Sequence, residues 1–492
     1  MTDKPKTYRL MMNHKLKFLL AILALIMIRP GIANNKKDQK PNIIFLFADD
    51  QCYNTINKLG NKEIKTPNLD KMVESGVSFT HAFNMGAWHG AVCVASRTMI
   101  NTGRFVWRAK SLESDLKTNK INKQMWGNLM KHEGYDTYMA GKWHVKADPA
   151  DCFSNVGTVR GGMPNQTPEG YNRPKDENDN TWKPWDKQYD GFWKGGKHWS
   201  EVLGDEAIGF IEQAKESDNP FFMYVAFNAP HDPRQSPKEF VDIYPLENIS
   251  LPETFLPEYP YKDEMGCSAK LRDEKLAPFP RTEYAIKVNR QEYYAIITHL
   301  DQQLGRILDA LEKSGKKDNT YIFYTADHGL ACGNHGLLGK QSMYDHSMRA
   351  PLIVIGPDVP ANKKRDMDVY LQDIMPSTLE LAGIDKPAYV EFSSLMKMAR
   401  GEQKKGNYPA IYGCYTKQQR MIRKDGFKLI AYPEAKKVRL YNLKKDPLEM
   451  KDLAEEKKYQ EKVKQLFKEL VQLQNEMDDE LDLTIVYPEL LK

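Results

Sequence analysis

The stretch NIIFLFADD, residues 42–50, constrains the fold more than any other part of this sequence. It is a continuous apolar run that ends in two aspartates. A run with no polar alternation belongs to a strand buried on both faces, as in the centre of a parallel sheet, and its aspartates then mark the strand's carboxyl end. The design returns in NPFFMYVAFNAPH (219–231) and NTYIFYTADHG (319–329), and more weakly in YDTYMAGKWH (135–144). Helical patterns lie between these runs, over 68–75, 123–133, 201–215 and 283–314. Strands alternating with helices predict an α/β fold: a large, mostly parallel sheet sandwiched by helices. Ligands of such sheets gather at the carboxyl ends of strands. The four tips, carrying Asp, Lys or His, are therefore expected to converge on one site.

Beyond about residue 385 the texture changes. YPAIYGCYT (408–416), QRMIRKDGFKLIAY (419–432) and KVRLYNL (437–443) read as antiparallel strands, with Asp425-Gly426 as a hairpin turn. A charged amphipathic helix is expected over 449–477. The reading is an α/β domain over 34–385 and a small C-terminal α+β domain with an antiparallel sheet over 386–492.

Residues 1–33 read as a signal peptide. Lys15 and Lys17 precede the apolar run FLLAILALIMI (18–28), and Gly31 and Ala33 are the small residues before a cut. Eleven apolar residues are too few to span a bilayer. A membrane anchor is the competing reading, and no cysteine follows the run to carry a lipid. The mature chain is expected to be exported, periplasmic or secreted, without a stable membrane anchor. The formal charge of +5 belongs to this leader, which holds six of the 71 basic residues and one of the 66 acidic ones. The remainder has 65 of each sign, so no global basic field exists to capture nucleic acid. The six cysteines, at 52, 93, 152, 267, 332 and 414, show no CxxC and no zinc spacing. Export permits disulfides, and the pairing stays open.

Adjacent carboxylates such as Asp49 and Asp50 repel each other unless a cation sits between them. Asp327 and His328 close another strand. Three carboxylates and an imidazole can hold a divalent metal; the oxygen-rich set favours Ca²⁺ or Mg²⁺, and the His keeps Mn²⁺ or Zn²⁺ open. In AVCVASRTMINTGR (91–104), VASRTMIN reads as a helix stopped by Gly103. Cys93 then stands at its N-terminus, where N–H groups and the dipole favour an anion. Arg97, one turn on, can reach back with a donor fork suited to tetrahedral oxyanions. A buried structural cysteine is the bland alternative. The segment NTWKPWDKQYDGFWKGGKHW (180–199) crowds four tryptophans and four lysines without a period. It is either a packed surface loop or a ligand-facing one. In the second case its indoles would meet sugar rings, and Lys183, Lys187, Lys194, Lys197 and His198 would meet anionic substituents.

CVASRTMINTGR closely resembles the type I sulfatase signature, Cys/Ser-x-Pro/Ala-x-Arg followed by Thr-Gly, of the alkaline phosphatase-like superfamily. The similarity continues in order. NIIFLFADDQ resembles the first metal-binding strand and GKWH (141–144) the second signature. APH (229–231) resembles a tip with an active-site His, and TADHG (325–329) the second metal pair. GKQSMYDHSMRAPLIV (339–354) is similar to the segment with a sulfate-binding Lys. LYNLKKDPLEMKDLA (440–454) is similar to the C-terminal strand and turn. The flavour is that of polysaccharide-degrading bacterial sulfatases.

The resemblance implies that Cys93 is oxidised to formylglycine (3-oxoalanine) by a formylglycine-generating or a radical sulfatase-maturating enzyme. It implies Ca²⁺ held by Asp49, Asp50, residue 93, Asp327 and His328, with Arg97, Lys142, His144, His231 and Lys340 around the sulfate. A metal plus three cations neutralises the ester oxygens. On that resemblance a gem-diol oxygen of residue 93 would attack sulfur, and His231 or His144 would protonate the leaving alkoxide. The second hydroxyl would then collapse to the aldehyde and expel sulfate. Trp88 and His89 are expected to line the pocket mouth, as are His346 and Arg349. Ala95 stands where Pro is commoner, which bears on the maturation route, and His328 stands where many relatives have Asn. The expected substrate is a sulfated carbohydrate, of algal ulvan or carrageenan type or a glycosaminoglycan. A phosphoester or phosphonate hydrolase on the same scaffold is the alternative enzyme, and a non-catalytic glycan-binding relative the alternative class.

Overall fold

The computed structural model describes residues 40–162, 164 and 167–492. The expected signal peptide lies outside them. In chain order the strands are β1 (Asn42–Ala48), β2 (Val77–Phe83), β3 (Gly86–Ala87), β4 (Asp136–Lys142), β5 (Asn155–Arg160), β6 (Trp193–Lys194), β7 (Lys197–His198), β8 (Phe221–Ala226) and β9 (Thr320–Ala326). They continue with β10 (Arg349–Ile355), β11 (Lys363–Arg365), β12 (Val369–Tyr370), β13 (Ile411–Tyr415), β14 (Gln419–Lys424), β15 (Phe427–Tyr432) and β16 (Lys437–Asn442).

The large sheet runs β11-β2-β10-β9-β1-β8-β4-β5, with β12 also on β2. Every pairing in it is parallel except the two made by β10, against β2 and β9. The fold is thus α/β around a mixed, mostly parallel sheet. β1 sits at its centre for the reason its sequence suggests. Alternate side chains enter different cores: Ile43, Phe45 and Phe47 pack on one face with Trp126 and Phe222, while Ile44 and Leu46 pack on the other with Leu203, Leu300 and Leu304. Helices Trp126–His132 and Ile374–Ala382 cover the first face. Helices Pro67–Ser75, Trp199–Lys215 and Glu283–Lys313 cover the second. Both faces of a strand so covered must be apolar, which is why no alternation shows.

The second sheet runs β16-β15-β14-β13-β3. β13 to β16 form the antiparallel meander, turning at Asp425-Gly426 between β14 and β15. Its edge strand comes from far earlier in the chain: β3 pairs parallel with β13, Gly86 opposite Cys414 and Ala87 opposite Tyr415. Gly86 has φ 101°, and a Cβ there would lie 1.8 Å from the Cys414 carbonyl oxygen. Only glycine fits that approach. The helix expected over 449–477 starts later, at Gln460, and ends at Glu476. Before it, the Asp446 and Asp452 carboxylates accept backbone N–H bonds from Lys451, Leu440 and Ala454, holding that segment as turns.

Candidate active site

The carboxyl ends of the adjacent strands β9, β1, β8 and β4 meet at one buried cluster. Asp49 and Asp50 leave β1, Asp327 and His328 leave β9, His231 follows β8, and Lys142 ends β4 with His144 just beyond. Asp50 turns back with φ 65°, so its N–H donates to Asp327 Oδ1 at 3.1 Å. His144 also has a positive φ, 55°. Such left-handed residues outside glycine are uncommon and concentrate where side chains must be aimed.

The helix Val92–Thr102 points its N-terminus at this cluster, and Cys93 is its second residue. Gly103 ends it in the left-handed region, its N–H donating to Met99 O at 2.8 Å. Cys93 Sγ lies 3.4 Å from Lys340 Nζ, 3.4 Å from His328 Nε2 and 3.9 Å from Asp50 Oδ1. Burial alone would push this thiol up. Lys142, Lys340 and His328 outweigh it and hold Cys93 well below the usual thiol range. The other five cysteines are also buried and free of disulfides.

Arg97 sits one turn along the helix with no exposed surface. Its Nε donates to Asp327 Oδ2 at 3.0 Å and its Nη1 to the Lys142 carbonyl at 2.7 Å, while the Phe47 ring lies 4.5 Å from its guanidinium carbon. Nη2 has no hydrogen-bond partner and stands 3.8 Å from Asp49 Oδ1. Lys142 Nζ pairs with the other Asp49 oxygen. Lys340 Nζ spans both Asp50 oxygens, at 2.9 and 2.8 Å, and reaches His231 Nε2 at 3.2 Å. Burial opposes the charged form of Lys340, but Asp50, Cys93 and Asp273 push its ammonium well above the ordinary lysine range.

Asp49, Asp50, Cys93 and His328 each offer a ligand atom, all within 4.8 Å of one another. Asp49 Oδ1 is buried without a hydrogen-bond partner. An orphaned buried carboxylate oxygen is costly unless a cation meets it. Burial and then Asp327 push the Asp49 carboxyl well above its ordinary range. His328 is pushed up to about 9: burial alone would lower it, but Asp327 and Asp50 outweigh that. The two carboxylates, with Asp327 beside them, fit a divalent cation; the Cys93 sulfur and the His328 nitrogen are softer donors, so a hard cation such as Ca²⁺ asks for an oxygen at residue 93. Asp327 borders this group, with Oδ1 3.4 Å from His328 Nε2 and Oδ2 committed to Arg97.

Asp232, Arg272, Asp273 and Gln341 join the site without having been singled out in the sequence. His231 Nδ1 faces the Asp232 carboxylate at 3.2 Å and its carbonyl oxygen at 2.6 Å. Arg272 Nη2 lies 3.5 Å from His231 Nε2, tied to Asp273. Gln341 bridges Asp273 Oδ2 and the Gly90 carbonyl, at 2.7 and 3.1 Å. Asp232 could have been found as the next polar residue of its strand tip. Arg272 and Asp273 lie in a long aperiodic segment that offers no such rule.

Three expected substrate contacts are corrected. His198 is fully buried: its Nδ1 caps the helix Trp199–Lys215 by accepting from Ser200 N at 3.0 Å, and Nε2 meets the Gln235 carbonyl at 2.8 Å. His346 is buried in a stack with Tyr344 and His335. Arg349 is held by Asp345 at 2.9 Å and by the Tyr53 ring at 3.7 Å. The tryptophan-rich loop packs on itself, Trp182 stacking on Tyr189 with centroids 5.1 Å apart. Lys194 and Lys197 are exposed, Lys197 paired with Asp205. Trp88 and His89 are half-buried, shortly before the helix Val92–Thr102.

A family model described as Sulfatase matches residues 41–384, and one described as N-sulphoglucosamine sulphohydrolase, C-terminal, matches 333–476. The chain is 25% identical to an N-acetylglucosamine-6-O-sulfatase of Bacteroides thetaiotaomicron, over 96% of this chain and 92% of the relative. It is 30% identical to a sulfatase of Formosa agariphila, over 88% of this chain and 86% of the relative. The solved structure of BT4656 in complex with its substrate D-glucosamine-2-N,6-O-disulfate superposes with a TM-score of 0.68 at 24% identity, covering 90% of this chain and 99% of that one. The first match spans every strand of the large sheet and all the tip residues gathered around Cys93, and the chain therefore belongs to the sulfatase family, the sulfuric ester hydrolases.

Proposed function

We propose that the protein is an exported sulfatase that removes sulfate from a sulfated carbohydrate, with Cys93 matured to formylglycine and Ca²⁺ held by Asp49, Asp50, residue 93, Asp327 and His328. The observation that carries the reading is the setting of Cys93: a buried helix N-terminus with Lys340 and His328 at 3.4 Å and an acidic cluster beside it. A thiol of mere packing value has no need of those neighbours. When present, formylglycine would supply a hydrated aldehyde as nucleophile and the cation would add positive charge for the ester oxygens.

The chain's own residues set up the rest. Arg97 Nη2 is a buried donor without a partner, so an oxyanion oxygen would gain a charge-assisted bond there. Lys142 and Lys340 add two ammonium groups, each held against a carboxylate. They are fixed before substrate arrives, which is how such groups favour developing charge. His231 is tied through Nδ1 to Asp232, leaving Nε2 toward Lys340 and the site. It is the candidate acid for the leaving sugar oxygen, with His144 as the second candidate. The named activity of the Bacteroides relative and the D-glucosamine-2-N,6-O-disulfate bound in the solved neighbour support a carbohydrate ester. The leader-like residues 1–33 support export. Among the described residues no helix is long and apolar enough to cross a membrane.

The test pairs two measurements on protein from its native host. Peptide mass spectrometry over residue 93 is expected to show formylglycine, and a screen of sulfated glycans against aryl sulfates to show release from glycan. Unmodified cysteine in fully active enzyme would sink the nucleophile. Activity on aryl esters alone would remove the carbohydrate.

A further inference from the structure

A cavity of about 720 Å³ opens beside the nucleophile helix, a size that suits a small-molecule or sugar ligand. Trp88 and Trp107 form part of its wall, and Lys110, Lys417, Asp478 and Glu480 belong to its lining. Both indoles are half-buried, so ring surface remains open to solvent. Each is anchored at its nitrogen: Trp88 Nε1 donates to Glu113 Oε1 at 3.2 Å and Trp107 Nε1 to the Tyr412 hydroxyl at 3.0 Å. A half-exposed indole with its polar end already satisfied presents a rigid flat face.

The charges in the cavity balance. Arg420 and Asp479 are bound to each other, Arg420 Nη2 donating to Asp479 Oδ1 at 2.8 Å. Asp478 is held by Arg108 at 2.9 Å. Lys110, Lys417 and Glu480 are exposed and, among the described residues, have no ion-pair partner. Lys110 stays beside the Trp107 ring, at 5.4 Å. Such a mixture of free donors and a free acceptor around flat apolar faces suits a ring rich in hydroxyls.

The cavity joins the active site through two short stretches of chain. Trp88 is followed by His89, whose Nδ1 accepts from Ala91 N at 3.1 Å, two residues before Cys93. Glu113, which holds Trp88, also pairs at 2.8 Å with Lys146, two residues past His144. On the opposite wall, Thr416 N donates to the Ala87 carbonyl at 2.8 Å, three residues before the Gly90 carbonyl that accepts from Gln341, the chain neighbour of Lys340, at 3.1 Å.

We infer that this cavity is a second sugar subsite, which takes a hydroxyl-rich ring next to the ester-bearing unit of the substrate. The inference rests on the carbohydrate reading above and extends it: the enzyme acts better on oligosaccharides than on single sulfated sugars or small esters. The test compares wild type with Trp107→Ala and with Lys417→Glu. The first removes a wall; the second changes an exposed side chain with no bond to break, so it reports even if the first variant folds poorly. The probes are heparin- and ulvan-derived di-, tetra- and hexasaccharides, with p-nitrophenyl sulfate as an ester too small to reach the cavity. Both variants are expected to keep wild-type activity on p-nitrophenyl sulfate and to raise KM for tetra- and hexasaccharides, Trp107→Ala by about fivefold, the worth of one aromatic contact, and Lys417→Glu in the same direction. Wild-type KM in both variants overturns the subsite. If the wild type releases sulfate from no oligosaccharide, the carbohydrate reading fails on its own. Calorimetric titration with the hexasaccharides then decides the cavity: binding that weakens in Lys417→Glu upholds it, and no binding to wild type rejects it.

Discussion

At the scale of single residues, the site is built from charges that constrain each other. Arg97 shows it best. Its three nitrogens go to three different places: Asp327, the Lys142 carbonyl and the unpartnered position near Asp49. Lysine keeps the charge but offers a point in place of the fork. Arg97→Lys is therefore expected to lower kcat/KM for sulfate release by roughly a hundredfold, the loss seen when one preorganised oxyanion donor is removed. It should also lower the melting temperature, because Asp327 loses its buried partner. Steady-state kinetics beside a thermal melt check this, and near wild-type kcat/KM would show that Nη2 does not meet the ester. The strand-tip rule made Asp49, Asp50, Lys142, Asp327 and His328 legible from sequence, and the helix-start rule did so for Cys93 and Arg97. Lys340 became visible only through the sulfatase resemblance. It arrives on an irregular segment, and no local pattern says that its ammonium will cross to Asp50. Burial was the hidden quantity for His198 and His346: a histidine among aromatics reads alike whether it faces solvent or the core.

At the scale of elements, the sequence showed the central strands and hid those at one side. β1, β8 and β9 are unbroken apolar runs because helices cover both faces. β2, VSFTHAF, mixes Ser78, Thr80 and His81 into its apolar residues, and β11 is Lys-Lys-Arg, so neither shows the run that marked β1. The antiparallel β10 was hidden too, since periodicity says nothing about strand direction. The element that aims the site most sharply is the end of β4. Gly141 has φ 94°, and a Cβ there would stand 1.9 Å from the Ala226 carbonyl oxygen of β8. A glycine within a strand reads as a bulge or a close backbone approach, and here the register does shift between Met139 and Gly141. Gly141→Ala must push β4 away from β8 and carry Lys142 with it. The expected cost is about 3 kcal/mol of stability from overpacking and strain, with activity falling at least tenfold even where the variant remains folded. Denaturant unfolding and sulfate release measured at the same temperature test both halves. A folded variant with full activity would mean that Lys142 need not be held by that contact.

At the scale of the whole molecule, residues 40–492 form one compact unit, and its cohesion owes nothing to disulfides. A reductant is thus expected to leave the melting temperature unchanged, and a fall of several degrees in dithiothreitol would reveal a bridge. Cohesion between the two sheets comes in part from buried charge. Asp345, just before β10 of the large sheet, pairs with Lys428 of β15 at 2.5 Å and with Arg349 at 2.9 Å, and Lys428 also holds Glu449 at 2.6 Å. Burial alone would raise the Asp345 carboxyl. Lys428, Arg349 and Arg423 outweigh it and hold the group far below the usual carboxylate range. The unfolded chain protonates an aspartate near pH ~3.9. A group depressed on folding binds fewer protons in the native state, so its contribution is complete above that unfolded value and is lost as the pH falls below it. Asp345→Asn removes the titrating group and leaves two cations short of a partner. Melting curves should therefore show the variant well below wild type at pH 6, and the gap should hold down to about pH 4 and narrow from there toward about pH 2. A gap that stays constant over that range would mean that the two sheets are held by packing, with the Asp345 charge adding nothing to it.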